Sequence, residues 1–589
     1  MKNETKTHST SSVQACQNCK KDFIIEPEDF NFYEKIKVPP PTWCSECRAM
    51  RRLIWRNERS LYHNTCAFSG KKIISMFSPE TKLVVYDRDI WWSDKWDPTS
   101  YGRDYDFSKP FFQQFKELLY SVPLASLGNS NIVNSKYVNH TEDLKNCYLV
   151  YGSMEGESVS YAQGILNVKD SFDLYNVMKS EQCYDDVLCG SIYRTNFSYD
   201  SDECIDSSFL TSCTNLQNCF GCINLRHKSH CIFNVQYSKE DYDKKLSTYD
   251  MGSYTALMKF KGEYEKFLED KFRRFAFIFK SVNVTGDNVF TSKNSKFIFD
   301  VYDNVEDSKY AVHTFGLRDS YDGYGIGDRG ESLYEGVDFG HDGARSAFAI
   351  LNHGCMDTKY TYMCYGSKNL FGCIGLQKQD YCILNKKYSK EEYEKLVLKI
   401  IEQMNAMPYV DKKGRIYKYG EFFPTELSPF AYNETIAQEY YPLKENEAKK
   451  YGFKWQEKQE RNYNLEIKTD DLPDHIKDTD ESIVGKVIEC MHKGDCNEQC
   501  TEAFKILPEE LQFYKRNNLA LPRLCPNCRH YQRLQKRNPL KLWHRSCMCE
   551  KTKHANHLDI RCPSEFETSY APDRPEIVYC EKCYQQEVY

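Results

Sequence analysis

Through the middle of the chain, aromatic residues recur against a background of small and polar ones. They fall at Tyr148, Tyr161, Phe172, Tyr184, Phe197, Phe209 and Phe220, then at Phe297, Tyr310, Tyr321, Tyr334, Phe348, Tyr360 and Phe371, in steps of 11 to 14 residues. Gly, Asn, Asp and Ser separate the short β-favouring pieces between them, a pattern that predicts a stacked β solenoid. Two steps would make one coil of about 24 residues, within the usual span of structural repeats. On this reading residues 130–235 and 285–385 are β-helix segments. A second spacing crosses the first. Cys204, Cys213, Cys222 and Cys231 are nine apart, as are Cys355, Cys364, Cys373 and Cys382. Nine and twelve do not fit one coil shape on sequence alone.

The two segments are copies of each other. Residues 215–242 align without gaps on 366–393, with 14 of 28 positions identical, and DSFD at 170–173 matches DSYD at 319–322. Each copy ends on a helix signal, Ser238 with Asp241 and Ser389 with Glu392, spaced as a capping box. The predicted architecture is multidomain and mainly β: two duplicated β-helix-like (solenoid) segments with capping helices, flanked by N- and C-terminal zinc ribbons. Its units are an N-terminal ribbon with a basic helix (1–65), an aromatic connector and helix (66–129), and the first solenoid repeat with a helical tail (130–280). After these come the second repeat with its tail (281–407), an aromatic and charged connector (408–481), a second ribbon with a basic helix (482–545) and a third zinc-binding unit (546–589).

Cysteine chemistry sets the ends apart. Cys16-x2-Cys19 and Cys44-x2-Cys47 form two knuckles, the arrangement that places four thiolates around one tetrahedral zinc ion. Cys496-x3-Cys500 with Cys525-x2-Cys528 repeats the unit, and Cys490 and His492 lie close enough to compete with Cys496. Cys547-x-Cys549 with Cys580-x2-Cys583 makes a third unit, in which His554, His557 or Cys562 could replace one member. Three structural Zn2+ sites are therefore expected. A finger-like run of Cys219, Cys222, His227, His230 and Cys231 is not read as a site. Its duplicate carries Leu370, Cys373, Lys378, Tyr381 and Cys382, so small buried cysteines are the better reading.

At these residues the chain resembles a family of zinc-ribbon proteins widespread in candidate-phyla-radiation bacteria. The resemblance is carried by VPPPTWCSECRAMRRLIWRNERSLY, WWSDKWDP with YGRDYDF, YCILNKKYSKEEYEKL, LPRLCPNCRHYQRL and SEFETSYAPDRPEIVYCEKCYQQEV. It implies zinc binding and carries over no activity.

Basic residues follow the knuckles: Arg48, Arg51, Arg52, Arg56 and Arg59 with Trp55, and Arg529, Arg533, Lys536 and Arg537 with Tyr531. Arginines with interleaved aromatics suit phosphate contact and base stacking. Arg48, Arg51, Arg52, Arg56, Arg529, Arg533 and Arg537 are thus candidate nucleic-acid contacts. The chain's net charge of -6 hides an acidic centre, since residues 66–481 hold 51 Lys and Arg against 63 Asp and Glu. No Walker loop, dinucleotide fingerprint, GxSxG or HExxH is present. The expected function is a non-enzymatic zinc-binding scaffold that contacts nucleic acid or a ribonucleoprotein through its basic helices. One alternative is a polysaccharide-binding or polysaccharide-processing β-helix protein, with Asp200, Asp202, Glu203 and Asp206 or Asp319, Asp322 and Asp328 as candidate acids. Another is a protein–protein interaction scaffold. Free thiols in such number (27 Cys), a polar start and no long apolar stretch give a cytoplasmic expectation without a membrane partner.

Overall fold

The computed structural model describes residues 10–589, apart from 326–329, 332–333, 341–342, 458–462, 552–553, 555–556 and 558–560. Two parallel β solenoids dominate it. The first runs from Asn129 to Gln236 and the second from Ile278 to Lys387.

The coil is half the expected length. Asn129 pairs with Thr141, Ser160 with Tyr148, Ile205 with Gln217 and Ala347 with Lys359, so neighbouring rungs lie twelve residues apart and each aromatic step is a whole turn. The reason lies in a shorter period. In the first solenoid every third residue holds a left-handed backbone: Tyr137, His140, Asp143, Asn146 and Leu149 have φ of 54, 52, 52, 55 and 53°. Each such residue bends the chain, so a turn has four sides of three residues. The interior positions follow the same count. Cys147, Val150, Val159, Ala162, Ile165 and Val168 are buried along one axis, as are Cys204, Leu210, Cys213, Leu216, Cys219 and Cys222. Nine residues are three sides and twelve are four, so both spacings seen in the sequence describe one coil.

So narrow a coil takes no aromatic side chain inside, and Cys, Ser, Val, Thr, Leu and Ile fill it. Interior serines also tie rungs together: Ser171 Oγ accepts from Cys183 N at 2.9 Å and Ser207 Oγ from Cys219 N at 3.0 Å. Left-handed φ is costly for residues other than Gly, Asn and Asp. Tyr161, Phe197 and Phe209 nevertheless adopt it. Their backbone is held by the ladder on both sides, and their rings pack outside the coil against the helices beside it. The second solenoid keeps the rule with a change of phase, where the register slips between Val301 and Asp303.

Both stacks close in the same way. Asn234 Oδ1 accepts from Ile223 N at 2.9 Å and its Nδ2 donates back to Ile223 O. Asn385 does the same to Ile374 at 2.8 and 2.7 Å. A short antiparallel return and a capped helix follow each: Lys239–Leu246 after Ser238, and Lys390–Ala406 after Ser389. Of the helical tail expected to residue 280, helix covers Lys239–Leu246 and Tyr254–Glu269. Its continuation, Phe272–Arg274, is a strand paired with Ile577–Tyr579 near the C-terminus. The connector at 408–481 is a chain of turns and short helices whose Tyr417, Phe422, Phe423 and Tyr432 are buried in the main core.

Candidate metal centres and the cleft between the solenoids

Three ribbons share one plan. A short hairpin brings in the first two cysteines, and a helix whose N-cap is the third cysteine brings in the rest. The hairpins are Ser12–Ala15 with Asp22–Ile25, Ile488–Glu489 with Ala503–Phe504, and Trp543–Ser546 with Glu565–Thr568. The helices are Ser45–Leu53, Pro526–Gln535 and Glu581–Val588, capped by Cys44, Cys525 and Cys580. In every ribbon the backbone N–H of that cap points at the first cysteine. Cys44 N donates to Cys16 Sγ at 3.3 Å, Cys525 N to Cys490 Sγ at 3.2 Å and Cys580 N to Cys547 Sγ at 3.2 Å. Helix N-termini favour the negative charge of a thiolate.

The clustered sets are Cys16, Cys19, Cys44 and Cys47; Cys490, Cys500, Cys525 and Cys528; and Cys547, Cys562, Cys580 and Cys583. The first is the set expected from the sequence. In the second, Cys490 stands where Cys496 was expected, and in the third Cys562 stands where Cys549 was expected. The hairpin decides both, because the first ligand directly follows one strand and the second lies three residues before the other. Sulfurs about 2.3 Å from a tetrahedral zinc lie about 3.8 Å from each other. Cys19–Cys44 at 3.8 Å, Cys500–Cys525 at 3.9 Å and Cys562–Cys580 at 3.9 Å match that edge, so the donor sets fit a tetrahedral metal. These lengths are far from a disulfide's. Hydrogen bonds from Cys44 and Cys47 pull the Cys16 thiol far below its usual range, and one from Cys490 brings Cys500 down to about 7. The same thiol contacts push Cys47 and Cys528 upward, so the shift is uneven within each cluster.

The finger-like run is part of the coil. Cys219, Cys222 and Cys231 lie in the solenoid interior, and Cys222 Sγ meets Phe220 O and Cys231 O at 3.5 and 3.6 Å. Cys373 meets Phe371 O and Cys382 O at 3.5 and 3.2 Å, the same contacts in the other copy. No family model matches the chain, and no curated protein matches it.

The basic helices correct the expectation of an exposed phosphate-binding face. Arg48, Arg51, Arg52, Arg56, Arg529 and Arg533 are buried and Arg537 is half-buried. Arg48 Nε and Arg52 Nη1 reach Asp322 at 2.7 and 3.3 Å, and Arg51 joins Glu421 at 2.8 Å and Glu335 at 2.5 Å. Arg56 binds Glu58 at 2.6 Å. Arg529 and Arg533 share Asp173 at 2.5 and 3.0 Å, and Arg537 donates to Tyr175 OH at 2.7 Å. Burial pulls the Arg48 pKa down, but the Asp322 carboxylate together with Tyr33 and Tyr334 outweighs it and holds the guanidinium charged. Burial pushes the Glu335 carboxyl up to about 7 against the pull of Arg51. Arg48, Arg51, Arg52, Arg529 and Arg533 are therefore paired with carboxylates of the acidic centre, while Arg56 pairs within its own ribbon and Arg537 meets Tyr175.

The candidate acids divide as well. Asp322 is inside the arginine clamp, and Asp319 and Asp206 form ion pairs with Lys35 and Arg194. Asp202 and Glu203 lie exposed. Asp200 lines a small pocket with Asp287 and Asp300 between the solenoids. Asp328 lies outside the described residues.

Sequence reasoning missed a cleft of about 1160 Å³ between the two solenoids. One wall comes from the early rungs of the first solenoid (Asn129, Thr141, Glu142, Gln163, Asn176), and the other from the second (Asp303, Asn304, Glu306, Arg318, Leu351). Aromatic groups line it as well. Trp92 packs on Tyr365 at 4.6 Å, and Tyr365 stacks on His353 at 5.4 Å. A second group is formed by His313, which hydrogen-bonds Tyr440, whose hydroxyl lies 3.0 Å from that of Tyr175. Burial lowers the His313 pKa, with Asp300 opposing, which favours the neutral ring. No local motif announces this cleft, because its walls are far apart in sequence. Among the described residues no helix is long and apolar enough to cross a membrane.

Proposed function

We propose that this protein is a non-enzymatic, zinc-braced double solenoid that binds an extended, polyhydroxylated ligand such as a glycan between its two stacks. The observation that carries this is the inter-solenoid cleft. Its tyrosines and Trp92 offer flat apolar faces, while amides and carboxylates (Asn129, Gln163, Asn176, Glu142, Glu306) offer hydrogen-bond partners. Sugars need that pairing: a ring face to cover and hydroxyls to satisfy. The acidic lining disfavours polyphosphate, as does the enlistment of the ribbon arginines in ion pairs. Zinc is the metal proposed for the three four-cysteine sets, since sulfur donors in closed tetrahedra suit it and leave no open position for catalysis. A reducing compartment, the cytoplasm, fits these free thiols.

The test is calorimetric titration of the full chain with oligosaccharides of varied composition, beside filter binding with RNA and DNA. Saccharide binding that falls at least tenfold in Trp92→Ala and Tyr365→Ala, with unchanged metal content, is expected. Salt-dependent RNA or DNA binding with no saccharide binding would return the function to nucleic acid.

A further inference from the structure

Both C-terminal ribbons depart from the N-terminal one between the first and second cysteine, and the third is also shorter between its second and third. Between the first and second cysteine, the N-terminal ribbon has only Gln17 and Asn18. The second ribbon has residues 491–499 there, and the third has 548–561. Both insertions carry exactly the side chains that a second ion would need. His492, Cys496 and Glu498 gather around Cys528, and Cys549, His554 and His557 gather around Cys583, each group with all donor atoms within 4.8 Å of one another. Cys528 and Cys583 are also the last ligands of the four-cysteine sets. We propose that each C-terminal ribbon holds two zinc ions joined by one bridging thiolate, Cys528 in one and Cys583 in the other. This rests on the four-cysteine reading of the ribbons and adds a second site to two of them.

The geometry is that of ligands rather than of chance neighbours. Cys496 Sγ lies 3.7 Å from Cys528 Sγ, and Cys549 Sγ lies 3.7 Å from His554 Nδ1. These are tetrahedral edges for bonds of about 2.0–2.3 Å. His554 turns its other nitrogen, Nε2, to Glu587 Oε1 at 2.8 Å. A carboxylate behind the far nitrogen is the usual support of a zinc-bound imidazole, fixing its tautomer and ring orientation. Cys549, His554 and His557 are buried, so this set is closed to water. Charge argues the same way. Four thiolates on one Zn2+ leave a net charge of about −2, so a fifth thiol beside them ionises only where a further cation compensates it. A second ion is that cation, and the bridge shares one thiolate between two metals. The N-terminal ribbon lacks the insertion, and among the described residues no second ligand set surrounds Cys47.

The experiment is elemental analysis of the full-length protein purified without added metal, together with two double variants. Five zinc ions per chain are expected. His492→Ala/Cys496→Ala and His554→Ala/His557→Ala should each lose one ion and keep the parent's circular dichroism. Cadmium-exchanged protein should show metal–metal coupling by NMR through each shared sulfur. Three ions in the parent, unchanged in both variants, would overturn the bridged sites while leaving the four-cysteine ribbons standing. One ion or fewer would overturn the ribbons as well. Four ions would overturn the bridge in whichever ribbon's double variant loses none.

Discussion

Arg48 grips Asp322 at 2.7 Å, and neither side chain is open to solvent. Arg529 grips Asp173 in the same way at 2.5 Å. The two aspartates close the matching DSYD and DSFD segments, and each arginine directly follows the last cysteine of its ribbon. The N-terminal ribbon therefore clamps the second solenoid, and the second ribbon clamps the first. The helices before the third cysteines repeat the relationship: Phe32 stacks on Tyr321 at 3.9 Å, and Phe513 packs on Phe172 at 4.8 Å.

Removing one partner of a buried ion pair costs about 3–5 kcal/mol, because the other charge is left uncompensated. Arg48→Ala and Arg529→Ala should each lower unfolding free energy in denaturant titrations, by less than that because Arg52 and Arg533 remain beside Asp322 and Asp173. The triple change Arg48→Met/Arg52→Met/Asp322→Leu, which leaves no charge of this group unpaired, should recover much of the loss. Filter binding with RNA should not distinguish any of these variants from the parent.

Cys490→Ser should abolish the second ribbon's four-cysteine site, whereas Cys496→Ser should spare it. Cys222→Val and Cys373→Val, inside the coils, should leave zinc content unchanged. Metal content reads the two coil variants, and protease resistance of residues 490–545, lost in Cys490→Ser and kept in Cys496→Ser, tells the two ribbon variants apart. Chelation should expose residues 16–59 and 490–545 to protease before the solenoid cores, since the metal fixes the clamping helices.

Asn385→Ala removes both hydrogen bonds to Ile374 at the end of the second stack. It should cost about 1–3 kcal/mol by leaving buried backbone groups unpaired. Hydrogen exchange at the Ile374 amide should quicken while amides in mid-stack keep their protection.

Burial pushes the Asp200 carboxyl from 3.8 up to about 7, against a hydrogen bond from Ser212. A raised carboxyl pKa means the native state holds its proton more tightly than the unfolded chain. This group's contribution therefore falls as pH rises from about 4 to about 7 and is level above that. Asp200→Asn should flatten that part of the stability profile and stabilise the protein by about 1–3 kcal/mol at pH 8. A thermal-melt series across pH would show a parallel, unflattened curve if Asp200 were fully hydrated.

The sequence by itself determined the duplication, the solenoid character, the helix caps at Ser238 and Ser389, and the knuckles Cys16/Cys19, Cys44/Cys47, Cys525/Cys528 and Cys580/Cys583. All of these are local, set by turn chemistry and by ligands a few residues apart. The three-residue side that reconciles nine with twelve was also written there, but aromatics at about every fourth side masked it. Cys490 and Cys562 were visible as competitors, yet only the paired strands flanking each hairpin could choose them over Cys496 and Cys549. The arginine clamps and the cleft belong to tertiary structure alone. A basic helix reads the same whether its partner is a phosphate or an aspartate some 270 to 360 residues away, and only packing that removes both charges from water decides which.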